Sequence, residues 1–149
     1  MSKNENLTAQ IKSLSDDKLV LSAAYSQVTE KLASVAMVRD FFNRWVKSGY
    51  NDAISHLPQD NPSTVGTNEA VTEADFKKKA EEFFGKSWSS ITADAQTDIA
   101  KLNNEYVANA NAKVRMYIGQ QYELNQQRDD KENEIDELQA IEKEDFSID

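Results

Sequence analysis

His56 is the single histidine in a 149-residue sequence that has no cysteine at all. A histidine performs acid–base or metal chemistry when other donors converge on it, and a lone one just before Pro58 reads as a surface or packing residue. Without cysteine there is no thiolate zinc site, no thiol nucleophile and no disulfide. The sequence also lacks a glycine-rich phosphate loop, a Gly-x-Ser-x-Gly elbow and a His-Glu-x-x-His helix, and no acidic loop has EF-hand spacing. Carboxylates are abundant but unfocused: Asp129 with Asp130, and Glu134 with Asp136 and Glu137, fall on a polar helix end. Lys77, Lys78 and Lys79 lie among Glu73, Asp75, Glu81 and Glu82, so they read as a solvated face and not as a phosphate cradle. The expectation is a protein with no catalytic, cofactor-binding or metal-binding residue. A helical enzyme built on carboxylates or a bound metal ranks third among the readings.

What remains is apolar chemistry. Val35 to Tyr50 is an amphipathic stretch carrying Phe41, Phe42 and Trp45 together with Arg39, Arg44 and Lys47. One reading is a helix that docks a partner or a membrane surface, with Phe41, Trp45, Phe83, Phe84 and Trp88 as candidate partner-binding residues. The plainer reading packs these aromatics under Phe76, Phe83 and Trp88, because helices with a wide apolar stripe are usually buried.

Charge narrows the partners. The net charge is -9, and residues 129–149 carry ten acids against Lys131 and Lys143, so -8 of it sits at the C-terminal end. Nucleic-acid binding is disfavoured, since sequence-independent affinity comes from Lys and Arg neutralising phosphates. Seventeen basic residues spread along the chain equally disfavour a DNA mimic. An acidic end suits a basic partner. No apolar run approaches a membrane span or a signal-peptide core, which points to a cytoplasmic protein, or to one incorporated in a virion if the source is a phage.

The elements that position these residues start with a heptad seam. From Leu7 to Val46 a four-three spacing runs through Leu7, Ile11, Leu14, Lys18, Leu21, Tyr25, Val28, Leu32, Val35, Arg39, Phe42 and Val46, ten of twelve apolar. Such a seam lets a long helix lie along a partner helix. The helix is expected over 5–48, on the order of 60 Å long, with Gly49 as its stop. Lys18 and Arg39 at core positions either fix register or snorkel outward. Toward its end the stripe widens to Ala36, Met37, Val38, Phe41 and Trp45, more than one partner helix can cover.

Eight of thirteen aromatics fall between Phe41 and Trp88, which implies a small aromatic-rich head over 50–88. Asn51 is a candidate cap for a short helix ending before Pro58, and 58–71 reads as an exposed loop. Thr72 and Asp75 resemble a capping box for a helix to Phe84, closed near Gly85, with Phe76, Ala80 and Phe83 as its apolar face. A final helix over 89–144 is expected with Ser89, Ser90 or Thr92 as cap. Its seam is Ala95, Ile99, Leu102, Tyr106, Ala110, Val114, Tyr117, Gln121, Leu124, Arg128, Lys131, Ile135 and Leu138. The three steps of four from Leu102 to Val114 form a stutter that unwinds a supercoil locally, and beyond Tyr117 the seam turns polar.

Together these features predict one elongated all-α domain: a long antiparallel helical hairpin or coiled-coil stalk with a small helical head. Folded about the head, Val46 would meet Ala95 and Val28 would meet Ala110. The expected role is non-catalytic, a structural, assembly or adaptor protein that forms a homo-oligomer or docks a protein partner through helix seams, a pattern shared with phage and virion assembly factors. The alternative is a small inhibitor or regulator that occludes another protein through the head or the acidic end.

Overall fold

The structure, a computed structural model, describes residues 3–57 and 71–148; the expected loop from Pro58 to Ala70 lies outside the described residues. The protein is all-α, with no strand among the described residues. The helices are α1 (Lys3–Ser48), α2 (Tyr50–Ser55), α3 (Glu73–Phe84), α4 (Trp88–Thr97) and α5 (Ala108–Ile148), with a π-helical segment, Leu102–Val107, leading into α5. The chain divides into a terminal unit, Met1–Thr29 with Ile118–Asp149, and a central unit, Glu30–Tyr117.

Local chemistry accounts for most boundaries. α1 ends where expected, and Gly49 turns the chain with φ +95°, a conformation that side-chain-bearing residues rarely adopt. Nothing lies within 4 Å of where a Cβ would stand, so glycine is required there for its backbone and not for room. The Thr72 hydroxyl accepts from the Asp75 amide at 3.1 Å to start α3, and Gly85 ends it in the left-handed region.

Three boundaries depart from the sequence reading. Asn51 lies inside α2, not at its cap, because the turn at Gly49 starts that helix two residues earlier. Ser87 caps α4, accepting from the Ser90 amide at 3.2 Å, ahead of the three residues expected to do so. The final helix is not continuous: Asp98 is extended, and its carboxylate accepts from the Ala100 amide at 3.0 Å. A short acceptor that satisfies nearby amides competes with the helix and starts a new one. That break removes Ile99 from the seam and leaves it 46% exposed. The stutter is also resolved differently. Leu102, Tyr106, Ala110 and Val114 are all buried. Three steps of four overshoot three α-turns by about one residue, and the wider π turn absorbs that residue in place of a loosened supercoil.

In the central unit the core is aromatic. Phe42, Phe76, Ile91 and Leu102 are fully buried, joined by Val38, Phe41, Ala53 and Ala80. Phe42 stacks on Tyr106 with ring centres 5.3 Å apart and meets Phe84 edge-on at 5.4 Å, while Phe41 lies 4.0 Å from Phe76. A second cluster joins Val35 to Ala110 and Val114, with Leu32, Phe83 and Tyr117 against it. Ala110 therefore packs with Val35, not with Val28 as the sequence register proposed, because the break at Asp98 commits α4 to the core.

The terminal unit is built differently. Its α1 and α5 segments pair in opposite directions: Asp17 with Lys131, Lys18 with Glu132, Ser22 with Arg128, Thr29 with Gln121. Among the described residues of this unit, Leu7 and Ile135 alone among the hydrophobic side chains are buried, and each keeps 7% of its surface exposed.

Replacing Phe42 by alanine removes the ring that joins three helices and is expected to cost about 3–5 kcal/mol. Urea unfolding followed by tryptophan emission checks this, and a cost below about 1 kcal/mol would contradict the described core.

Candidate functional site

The site begins with one face of α1. Ala33, Ala36, Met37, Asp40, Phe41, Arg44 and Lys47 recur at helical spacing and form one wall of a groove of about 670 Å³ in the central unit. Ala53, His56 and Leu57, from α2 and its end, form the other wall. The turn at Gly49 sets α2 against α1 and so creates the groove. Its lining joins apolar side chains, small Ala33, Ala36 and Ala53 with larger Met37, Phe41 and Leu57, to polar and charged ones. The His56 ring nitrogen Nδ1 lies 2.9 Å from the Asp52 carbonyl and 3.6 Å from its carboxylate. Asp40 accepts from the Arg39 guanidinium at 3.1 Å. Arg44 and Lys47, both exposed, have no carboxylate partner among the described residues. The groove thus presents two cations without a carboxylate partner beside apolar side chains. The chain matches no family model, no curated protein and no solved structure.

Two buttresses hold the core behind this groove. The Tyr106 hydroxyl donates to the Asp94 carboxylate at 2.5 Å, and Lys86 and Lys101 approach the same carboxylate at 3.6 and 3.5 Å. Burial pushes the Tyr106 phenol well above its usual range, and the bond to Asp94 adds to the shift. Asp94 is held below its usual 3.8, first by that bond and then by the two lysines. On the other side the Tyr50 hydroxyl donates to Glu73 at 2.6 Å, and Lys77 pairs with Glu73 at 3.2 Å. Tyr50 is raised by burial and by Glu73, and Glu73 is lowered chiefly by Tyr50. These partners are 12 and 23 residues apart, so no local pattern announced them.

The residues singled out from sequence are placed as follows. Phe41 is buried in the core, and Trp45, Phe83, Phe84 and Trp88 are half-buried against it. Their ring faces are used inside the unit: Trp45 stacks on Trp88 at 6.0 Å, and Phe83 meets Phe84 at 4.7 Å. Among the seam residues Val35, Phe42, Leu102, Tyr106, Val114 and Ile135 are buried, while Leu14, Leu21, Tyr25, Val28, Leu32, Tyr117, Leu124 and Leu138 are half-buried. Lys77 lies 5.8 Å over the Trp88 ring, and Lys78 is exposed. Among the described residues no three acidic or histidine side chains gather as a metal site, and no helix is long and apolar enough to cross a membrane.

The shifted groups make stability depend on pH in two windows. A phenol raised in the folded state stabilises it below the unfolded value of 10.0 and loses that contribution as pH climbs above it. Tyr50 and Tyr106 are therefore expected to ionise only as helicity is lost, and the Tyr50→Phe, Tyr106→Phe double variant should lack that late absorbance change at 295 nm. A carboxylate lowered in the folded state stabilises it above its unfolded value, and that contribution fades as pH falls below about 3.8. Asp94→Asn should flatten the acid limb of the urea midpoint against pH; an unchanged limb would contradict the buttress.

Proposed function

We propose that this chain is a non-catalytic coiled-coil assembly or adaptor protein whose terminal unit is a pair of antiparallel helix segments completed by helices of another chain, while the central unit is a separately packed aromatic head. The observation that carries the reading is the open seam of the terminal unit. A groove of about 380 Å³ is lined by the seam residues Leu14 and Leu138 with Gln10, Ser13, Glu134 and Glu137, and another of about 480 Å³ by Ile11 with Thr8, Gln139, Glu142 and Lys143. Two helices in mutual contact cover each other on one side only, so seam leucines that still line grooves have room for a third or fourth helix.

The seam's composition supports the same reading. Where a self-sufficient pair would place leucines, α5 brings Gln121, Arg128 and Lys131. Gln121 donates to the Thr29 hydroxyl at 2.9 Å, and the Arg128 guanidinium lies 4.6 Å over the Tyr25 ring. Lys18 reaches Glu132 in a half-exposed pair, worth roughly 0–1 kcal/mol in water. Polar seam residues of this kind select register and partner at a cost in stability. Large apolar side chains also stand outside the seam in this unit: Leu19, Val20, Ile118, Tyr122 and Ile141 are exposed.

The test is absolute mass by light scattering across a wide concentration range, for the wild type and for Leu21→Asp with Val28→Asp. The expected result is a multiple of the monomer mass that survives dilution in the wild type. The double variant should lose it while keeping the tryptophan emission of the head. A wild-type monomer at every concentration, with helicity unmoved by the double substitution, would remove the reading.

A further inference from the structure

The groove between α1 and α2 is unrelated to the seams, and its chemistry specifies an occupant. It is a groove of about 670 Å³ whose lining includes Ala33, Ala36 and Ala53, and its two cations without a carboxylate partner, Arg44 and Lys47, stand three residues apart on one helix face. What fits is a helix with one apolar residue and two acids at the same spacing. The acidic end of α5 carries that pattern beside its seam: Glu134 and Glu137, at the rim of the groove over Leu14 and Leu138, are three residues apart and exposed, and Ile141, one turn further on, is 39% exposed.

We propose that this groove seats that face of α5 from a second copy of the chain, running antiparallel to α1. Glu134 pairs with Lys47, Glu137 with Arg44, and Ile141 then falls over the apolar lining near Met37 and Phe41. The antiparallel direction follows from the spacing, since the apolar lining residues precede Arg44 in α1 while Ile141 follows Glu137 in α5. The charge balance agrees, because residues 129–149 carry a net -8 with only Lys131 and Lys143 as bases. Small lining residues such as Ala33 and Ala36 let two helix backbones approach closely. Asp40 at the rim is already engaged by Arg39, so it opposes the incoming acids less than a free carboxylate would.

The test uses the full chain in sedimentation velocity and light scattering. Three proteins are compared: wild type, Arg44→Glu with Lys47→Glu, and Glu134→Lys with Glu137→Lys. All four positions are exposed, and circular dichroism confirms that each variant keeps its helicity. Each variant alone is expected to associate at least tenfold more weakly than wild type, and an equimolar mixture of the two to recover association, because each reversed groove meets a reversed helix. Wild-type association through this contact should also weaken between about 0.05 and 1 M salt, over which the screening length shortens several-fold. Variants that associate like wild type, or a mixture that fails to recover, would overturn the proposal. Seam-driven assembly is read separately: it withstands high salt and the Arg44→Glu, Lys47→Glu reversal, whose positions lie outside the seam grooves, and it is lost in the Leu21→Asp, Val28→Asp protein.

Discussion

Burial of Phe42 is the constraint on which the central unit depends. Neither it nor its neighbour Phe41 can be covered by a single partner helix, because the two rings point to adjacent sectors of α1 and Val38 and Trp45 extend the same stripe. Closing that surface takes α2, α3, α4 and the π segment together. The sharp turns at Gly49 and Gly85, the break at Asp98 and the π turn are the local devices that bring these pieces round one pair of rings. Tyrosine hydroxyls at the edge of the aromatic cluster then reach carboxylates, so the polar ends of amphipathic rings are satisfied where the apolar packing stops.

The two units follow opposite rules. In the central unit apolar side chains interlock and the polar groups buttress the margin. In the terminal unit the polar groups lie within the seam itself, and burial is partial along nearly its whole length. A two-helix pair with glutamine, arginine and lysine on its seam has little hydrophobic free energy of its own, since that term scales with apolar area removed from water. It gains in discrimination what it lacks in burial, because polar seam groups tolerate few registers. The contrast is between a closely packed aromatic core in one unit and a partly covered polar seam in the other.

Charge is unevenly distributed along the sequence. Nearly all of the net negative charge lies in the last part of α5, while Arg44 and Lys47, in the last turns of α1, have no carboxylate partner among the described residues.

The heptad of α1 was legible in the sequence because burial in a helix has a short period: every seam position assigned from Leu14 to Phe42, and from Leu102 to Leu138, is buried or half-buried. The caps at Thr72 and Gly85 were legible for the same reason, being set by residues three or four apart. The tertiary structure decided what depends on distant partners. Asp98 broke a helix that periodicity carried straight through, because a side-chain acceptor satisfied the amide two residues on. That break set Ala110 against Val35 and shifted the register. The bonds of Tyr106 to Asp94 and of Tyr50 to Glu73, and the groove that α2 opens beside α1, arise between segments whose spacing in sequence carries no periodic signal. Periodicity reports which face of a helix is covered; only packing decides what covers it.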